Sequence, residues 1–596
     1  MIPVIGRLVV EDIRPRTPNG FPAKAVVGEK VRVTAVVFKD GHDPIAARAL
    51  LFKEPGASAA RRRRGADKPV AVAEMSALGN DEWEGFVVPD AMGAHRIVVQ
   101  GWSQKDGPVD PDHAVDLTSS SPHPLWVDRE RALVGAWYEL FPRSYGGFDG
   151  TAKRVPDVAG MGFDVLYLPP IHPIGHTARK GPNNTLAAGP DDPGSPWAIG
   201  SEEGGHTAID PSLGTLEDFH RLVAAIEDAG MEIALDYALQ CSPDHPWVKE
   251  HPEWFHHRPD GTIACAENPP KVYQDIYPLN FWPPTEPDRV AMWNACKGIV
   301  DYWVAQGVNI FRVDNPHTKP MAFWQWLIEV VQKDNPQVIF LAEAFTRPKV
   351  MAKLAEVGFS QSYTYFTWRT EQHGPDGLRA YLEELAHGPV ADYMRPNFWP
   401  NTPDILSGPL RNGPPAAFAL RYVLAATMGP SYGIYSGYEL YENQPASDTN
   451  EEYLHSEKYE IKHREFDQPW GLEPLISVVN RIRRRHPAFQ RLRSIRFHDT
   501  TNPLIIAYSK VSDDGDDTVL TVVNLDPHFA QEATVDLWSL GIPADRAYAV
   551  LDELSGELYE WRGTNPYVRL DPTYRVAHIL DMSSVVVAPR TAAPTI

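Results

Sequence analysis

From about residue 130 to 490 the chain alternates two patterns. Apolar runs of five to eight residues, such as 164–170, 231–236, 308–314 and 338–343, are separated by amphipathic stretches at 215–230, 289–306, 321–334, 376–387 and 415–428. A short apolar run suits a strand buried on both faces, and a longer stretch with helical period suits a helix packed on one face. Regular strand–helix alternation predicts a parallel sheet. Eight repeats, with strands near 134, 165, 232, 309, 338, 361, 395 and 431, predict an α/β fold, the (β/α)8 TIM barrel. The segment 241–286 separates the third strand from its helix. It is too long for a plain connection and predicts a functional insertion or small subdomain.

The flanks read differently. Residues 1–115 contain short strand-like runs, such as 31–38 and 95–102, bounded by Gly, Pro and Asp. They predict an N-terminal antiparallel β-sandwich. The polar stretch 116–130, with three serines and two prolines at 119–124, reads as a linker to a catalytic barrel over 131–490. Strand-like runs return at 504–509, 518–523 and 583–587, predicting a C-terminal all-β domain over 491–596 with an irregular end. The arginine run 61–64 reads as a solvated loop sooner than a polyanion site.

Composition narrows the function. Among 596 residues, 78 acidic against 56 basic side chains give a net charge of −22, which excludes a uniformly basic nucleic-acid footprint. A pocket can still be locally basic. The three cysteines, Cys241, Cys265 and Cys296, are odd in number and lack metal-ligand spacing, so packing in a reducing cytoplasm is expected. No run of about 18 apolar residues occurs, so no membrane span is expected. The 17 tryptophans and 23 tyrosines suit sugar-stacking surfaces, although such rings fill cores first. His172, His206 and His317 fall near the expected site, without a metal-like pattern of partners. No cofactor and no metal are expected.

Active sites of such barrels lie at the C-terminal ends of the strands. Three of these ends carry a carboxylate: Asp314 in Phe311-Arg312-Val313-Asp314, Glu343 in Phe340-Leu341-Ala342-Glu343, and Asp404 in Asn401-Thr402-Pro403-Asp404. Asp314 and Glu343 are one strand–helix unit apart and Asp404 two units further, which assigns them to strands four, five and seven. A single loop acid would mean little. Three at matching ends, with Arg312 two residues before the first, fit retaining glycosyl transfer. There a nucleophilic carboxylate forms a sugar ester and a second, about 5–5.5 Å away, donates and then removes a proton. Asp314 is read as nucleophile, Glu343 as general acid/base and Asp404 as support for the distorted sugar.

In this arrangement the chain resembles glycoside hydrolase family 13, the α-amylase family, over roughly 130–590. Its signature has Arg-x-Asp on strand four, Glu on strand five and a final Asp after strand seven. Two departures stand out. Amylases carry Asp-x-x-x-Asn-His after strand three, where this chain has Asp236-Tyr237-Ala238-Leu239-Gln240-Cys241, and Asn-His-Asp at the third acid, where it has Thr402-Pro403-Asp404. Both sugar-binding histidines are replaced, which argues against plain starch hydrolysis.

The departures are similar to one subfamily, the bacterial α-1,4-glucan:maltose-1-phosphate maltosyltransferases. Its stretches reappear as Trp137-Tyr138-Glu139-Leu140-Phe141-Pro142-Arg143-Ser144, Arg179-Lys180-Gly181-Pro182-Asn183-Asn184, Asn268-Pro269-Pro270-Lys271-Val272-Tyr273-Gln274-Asp275 and Ser456-Glu457-Lys458-Tyr459-Glu460. The resemblance implies that Lys180, Gln240, Asp275, Asn315, Lys458 and Tyr459 hold α-maltose 1-phosphate, and that Asn268, Lys271 and Tyr273 sit where its phosphate would be expected. A phosphorylated leaving group needs a cation and neutral donors, and lysine supplies a compact charge. The implied reaction moves a maltosyl unit to the non-reducing end of an α-1,4-glucan through a β-maltosyl-enzyme. The alternatives are another retaining α-glucanotransferase or hydrolase of the same family, or a non-catalytic glucan-binding protein. The subfamily also inserts a helical segment before the barrel and uses it in dimer contacts. This chain passes from Trp102 to Trp126 through a short polar stretch, which leaves a homodimer in question.

Overall fold

The computed structural model describes residues 6–54, 68–104, 107–114, 116–268 and 271–586. The arginine run 61–64 lies outside the described residues, as do Cα positions beyond 586.

Eight parallel strands close into a barrel: Gly135–Glu139, Val165–Leu168, Glu232–Tyr237, Ile310–Asp314, Ile339–Glu343, Gln361–Tyr363, Pro396–Phe398 and Ser431–Tyr435. The last pairs with the first, from Gly135 opposite Ser431 to Glu139 opposite Tyr435. Side chains alternate along each strand. Ile310, Ile339 and Leu341 fill the barrel interior with Trp137, Tyr167, Tyr363 and Trp399, whereas Phe311, Val313, Phe340 and Ala342 join the layer against the helices.

The helices follow the predicted stretches. Leu216–Asp228 starts on a capping box, in which Thr215 and Asp218 exchange side-chain and backbone hydrogen bonds. Its buried face is Phe219, Leu222, Val223 and Ile226, one stripe at helical spacing. Pro415–Met428 is buried almost all round. It lies between the barrel and the C-terminal strand Thr518–Asn524, so no face of it needs to be polar.

Antiparallel sheets flank the barrel. The N-terminal part packs two sheets around Leu8, Val33, Val37, Leu51, Ile97 and Val99. The C-terminal part is a six-stranded sheet running from Arg496–His498 to Leu558–Arg562, with a two-stranded companion. The stretch 116–130, expected as a linker, instead contributes strands Thr118–Ser119 and His123–Asp128. The second lies between Ala23–Val26 and Gly93–Ser103. Its Ser/Pro content masks the alternation that buries Leu125 and Val127, and Pro124 is tolerated because it stands near the strand's start. The insertion 241–286 packs against the barrel core. Gln240–Cys241 pairs with Tyr277–Pro278, a hairpin joins Ala266–Asn268 to Lys271–Tyr273, and Trp254, Phe255, Ile276 and Phe281 anchor it in the core.

Polar groups bind the N-terminal sheets to the floor of the barrel. The Lys24 ammonium donates to the carbonyls of Ala355, at 2.5 Å, and Phe359, and burial pulls its pKa down to about 7. Arg395 donates to Asp128 at 2.6 Å and to the carbonyl of Ala25 at 2.8 Å. A cavity of about 590 Å3 opens at the seam of the three parts. Three of its arginines pair with neighbouring acids: Arg32 with Glu84, Arg491 with Asp513 and Arg493 with Asp392. Among the described residues no helix is long and apolar enough to cross a membrane.

Replacing one member of a buried pair strands the other. Arg395→Met is therefore expected to cost about 3–5 kcal/mol by leaving Asp128 buried without its cation. The measurement is the urea midpoint. A shift equivalent to under about 1 kcal/mol would show that Trp126, which donates to Asp128 at 2.9 Å, suffices alone.

Candidate active site

Strands four and five are in register, with Asp314 opposite Glu343 at the C-terminal rim. Neighbouring strands lie about 4.8 Å apart, so the two carboxyl groups share one region of the barrel mouth. Arg312, two residues before Asp314, points to the same face. One guanidinium nitrogen donates to Asp314 and to Asp236, each at 3.0 Å, and the other lies 3.7 Å from Glu343. The rings of Tyr167 and Tyr363 flank the guanidinium at 5.8 Å.

This guanidinium faces three acids, which sets their protonation apart. Burial pushes Glu343 up to about 7. Arg312 opposes the rise, the charge of Asp314 adds to it, the backbone N–H of Asn315 opposes it and Asp404 adds to it. Asp236 is likewise raised by burial against the pull of Arg312. It is fixed by the Tyr167 hydroxyl at 2.6 Å and the Trp197 indole at 3.3 Å. A carboxylic acid that holds its proton near neutrality beside a carboxylate tied to arginine is the pattern of an acid/base and nucleophile pair.

Asp404 does not stand on strand seven. It lies in a loop six residues beyond Phe398, where Thr402 and Ile405 form a tight bridge. Asn401 anchors that loop by donating to the Tyr453 hydroxyl at 2.9 Å. Lys458 approaches from another loop and donates to Asp404 at 2.8 Å. Burial works against the charge of this lysine, but Asp404 and Tyr459 raise its pKa well above the ordinary value. Its ammonium lies 5.0 Å from the Trp197 ring and 5.9 Å from the Tyr459 ring.

Of the other residues singled out from the sequence, Lys180, Asp275, Tyr273 and Tyr459 lie around this pair. Lys180 is buried and donates to Gln274 at 2.6 Å. Asp275 is buried beside it, with one oxygen lacking a protein partner. Burial raises its pKa, and Lys180 and Lys458 offset part of the rise. Tyr273 interacts electrostatically with Lys458 and Tyr459. Gln240 reaches the carbonyl of Trp197 at 3.4 Å. Asn315 is exposed at the rim, next to the nucleophile candidate. Asn268 and Lys271 face each other across the hairpin of the insertion, whose tip, 269–270, lies outside the described residues.

Sequence reasoning missed several groups. Asp236 appeared there only as a departure from an amylase motif, and its role as partner of Arg312 needed the register of strands three and four. Glu139, at the end of strand one, is buried and held well above the usual carboxylate range by burial, against Arg312. Trp197 and Lys319 carried no motif signal. His317 stays beside the site, half-buried, with one ring nitrogen unpartnered. His172 and His206 do not line the rim. They pack near each other with Trp303, and His172 bonds the carbonyl of Ala208.

Two family models match the chain. One is described as "GLGE, C-terminal" over residues 497–582, the other as "Alpha-1,4-glucan:maltose-1-phosphate maltosyltransferase, domain N/S" over residues 6–106. The chain is 48% identical to alpha-1,4-glucan:maltose-1-phosphate maltosyltransferase 2 of Streptomyces coelicolor, with 96% of each covered. It is 43% identical to the Mycobacterium tuberculosis maltosyltransferase, covering 98% of this chain and 96% of that one. The chain belongs to the α-1,4-glucan:maltose-1-phosphate maltosyltransferase family. The alignments to these two maltosyltransferases span 661 and 686 positions against 596 residues, so both relatives carry insertions relative to this chain. Solved structures place the maltosyltransferase fold among α-amylases. An alpha-amylase from Lactobacillus plantarum superposes with a TM-score of 0.57 at 20% identity, covering 76% of this chain and all of that one. One from Geobacillus thermoleovorans gives 0.55 at 15% identity, covering 75% and 98%.

One cluster could be mistaken for a metal centre. The ligating atoms of His206, Cys241 and His245 lie within 4.8 Å of one another, all buried. Their nitrogens are already committed. His245 Nδ1 accepts from the Trp247 N–H, so its Nε2–H donates to His206 Nδ1 at 3.1 Å, and His206 Nε2–H donates to the Ala238 carbonyl at 2.9 Å. Burial holds His245 down at about 3, neutral as this chain of bonds requires. A metal would have to break it. Elemental analysis of the purified protein is expected to find less than stoichiometric zinc, and chelator treatment is expected to leave the melting temperature unchanged. One zinc per chain would overturn this reading of the cluster.

Proposed function

We propose that the protein transfers a maltosyl unit from α-maltose 1-phosphate to the non-reducing end of an α-1,4-glucan, with retention of configuration and release of inorganic phosphate. The observation that carries the chemistry is the register pairing of Asp314 with Glu343 under one guanidinium. In the first step the Asp314 carboxylate attacks the anomeric carbon. The bond to phosphate breaks, and Glu343 gives its proton to the departing oxygen. Phosphate is a weak base, so this help matters less than for a sugar alkoxide. A β-maltosyl ester on Asp314 results. In the second step the 4-hydroxyl of the acceptor attacks that carbon, and Glu343 takes its proton. Two inversions give net retention.

Lys180, Gln240, Asp275, Asn315, Lys458 and Tyr459 are assigned to the donor, and Asn268, Lys271 and Tyr273 to its phosphate. Two lysines in loops around an acid-rich barrel mouth support an anionic donor, because in a chain of net charge −22 a phosphate needs local cations. Asp404 supports the distorted sugar ring, and Lys458 holds it in place. Both steps balance without a cofactor. All these groups lie on one chain, so the chemistry does not require a second copy.

Phosphate is expected to appear only when both α-maltose 1-phosphate and a maltooligosaccharide are supplied, with products longer by two glucose units. Growth by single units, or starch hydrolysis without phosphate, would refute the donor assignment. A second test separates the two acids. Glu343→Ala is expected to lower turnover of α-maltose 1-phosphate by about 10²–10⁴-fold. With α-maltosyl fluoride, whose leaving group needs no proton, it should accumulate an ester on Asp314, visible in the intact mass and absent from Asp314→Ala. An adduct mapped to any other residue would show the assignment wrong.

A further inference from the structure

We propose that Lys319 is a positioning residue that sets the protonation of Glu343 through the single peptide plane between Asp314 and Asn315. The inference rests on the reading of Glu343 as the acid/base. The Lys319 ammonium donates to the carbonyl of Asp314 at 3.1 Å and to that of Asn315 at 3.2 Å. The N–H at the other end of the Asp314–Asn315 peptide donates to Glu343 Oε2 at 3.1 Å. A peptide unit is planar and does not twist freely. A cation on its carbonyl end therefore fixes where its N–H points and polarises that N–H toward the carboxylate.

The backbone is shaped for this. Asn315 has φ 42° and ψ 52°, a left-handed conformation that asparagine tolerates better than most residues. Two successive carbonyls thereby converge on one ammonium. The turn does not depend on the lysine alone. The backbone N–H and hydroxyl of Thr318 also bond the Asn315 carbonyl, at 3.1 and 2.8 Å, and the Trp324 indole holds the Pro316 carbonyl at 2.8 Å. A merely structural lysine would be redundant here.

The charged and titratable groups facing Glu343 come from five places: Arg312 and Asp314 on strand four, Asp236 on strand three through Arg312, Tyr363 on strand six, Asp404 after strand seven, and Lys319. Among them Arg312 and Lys319 are the cations. Arg312 is shared among three acids, whereas Lys319 acts on Glu343 through a donor that no other acid uses. Burial lowers the pKa of the lysine, and the charges of Asp314, Glu343 and Asp236 offset part of that fall.

The sign follows. A cation behind the N–H favours the carboxylate and lowers the Glu343 pKa, so its removal raises it. Cleavage of the donor needs protonated Glu343, so kcat/KM falls as pH rises through that pKa, near 7 in the native protein. The test is the pH profile of kcat/KM for α-maltose 1-phosphate. Lys319→Met and Lys319→Gln are expected to move the basic limb upward by roughly 1 unit, and Lys319→Arg to leave it near the native position. Lys319→Gln keeps a donor for the carbonyls and so serves if Lys319→Met folds poorly. A uniform loss of rate in the neutral variants with an unmoved limb would overturn the proposal. Glu343→Gln in the native background is the separate control. If the basic limb survives that change, the acid/base reading fails and not the role of Lys319.

Discussion

Arg312 is the interaction on which the barrel mouth depends. Three carboxyl groups, those of Asp236, Asp314 and Glu343, converge on one buried guanidinium. A buried carboxylate without a partner costs several kcal/mol, and one cation cannot compensate three of them. The charge balance therefore obliges part of the set to keep protons. Burial raises both Asp236 and Glu343, while Asp314 takes a direct bond from the guanidinium at 3.0 Å. The guanidinium's direct bonds thus go to Asp314 and Asp236, while Glu343, 3.7 Å away, is raised by burial toward holding its proton. The geometry that permits this is the period of a strand, which puts residues 312 and 314 on one face, and the register that sets Asp236 beside Arg312 and Asp314 beside Glu343.

Much of this was legible because strand chemistry is local. Eight apolar runs mark eight barrel strands, and Asp314 and Glu343 are readable as strand ends because each closes an apolar run, with Arg312 two residues before the first. What escaped depended on contacts between distant segments. Asp236 closes an apolar run as visibly as Asp314 does, yet its meaning comes from a neighbour 76 positions away. Strand His123–Asp128 was hidden because serine and proline beside it signal a loop, while its place between two other strands is a tertiary fact. Asp404 was assigned to the correct repeat but not to its loop, since nothing in a four-residue motif gives the distance from a strand's end.

The residues assigned to chemistry and those assigned to the donor are carried by different kinds of structure. Arg312, Asp314 and Glu343 are rooted in buried strands whose side chains have little freedom. Lys180, Gln240, Asp275, Lys458 and Tyr459 come from connections after the second, third and eighth strands, tied down by particular contacts such as Lys180 to Gln274 and Lys458 to Asp404. The two amylase histidines missing from this sequence would also have stood in such connections. A barrel of this kind can carry different functions on different loops, and the fold is shared with α-amylases at 20% identity or below.

Lys458 shows how the two sets are joined. It bonds Asp404 while lying over the Trp197 ring, whose indole N–H in turn bonds Asp236. The path from the donor loops to Arg312 thus runs through two side chains in contact.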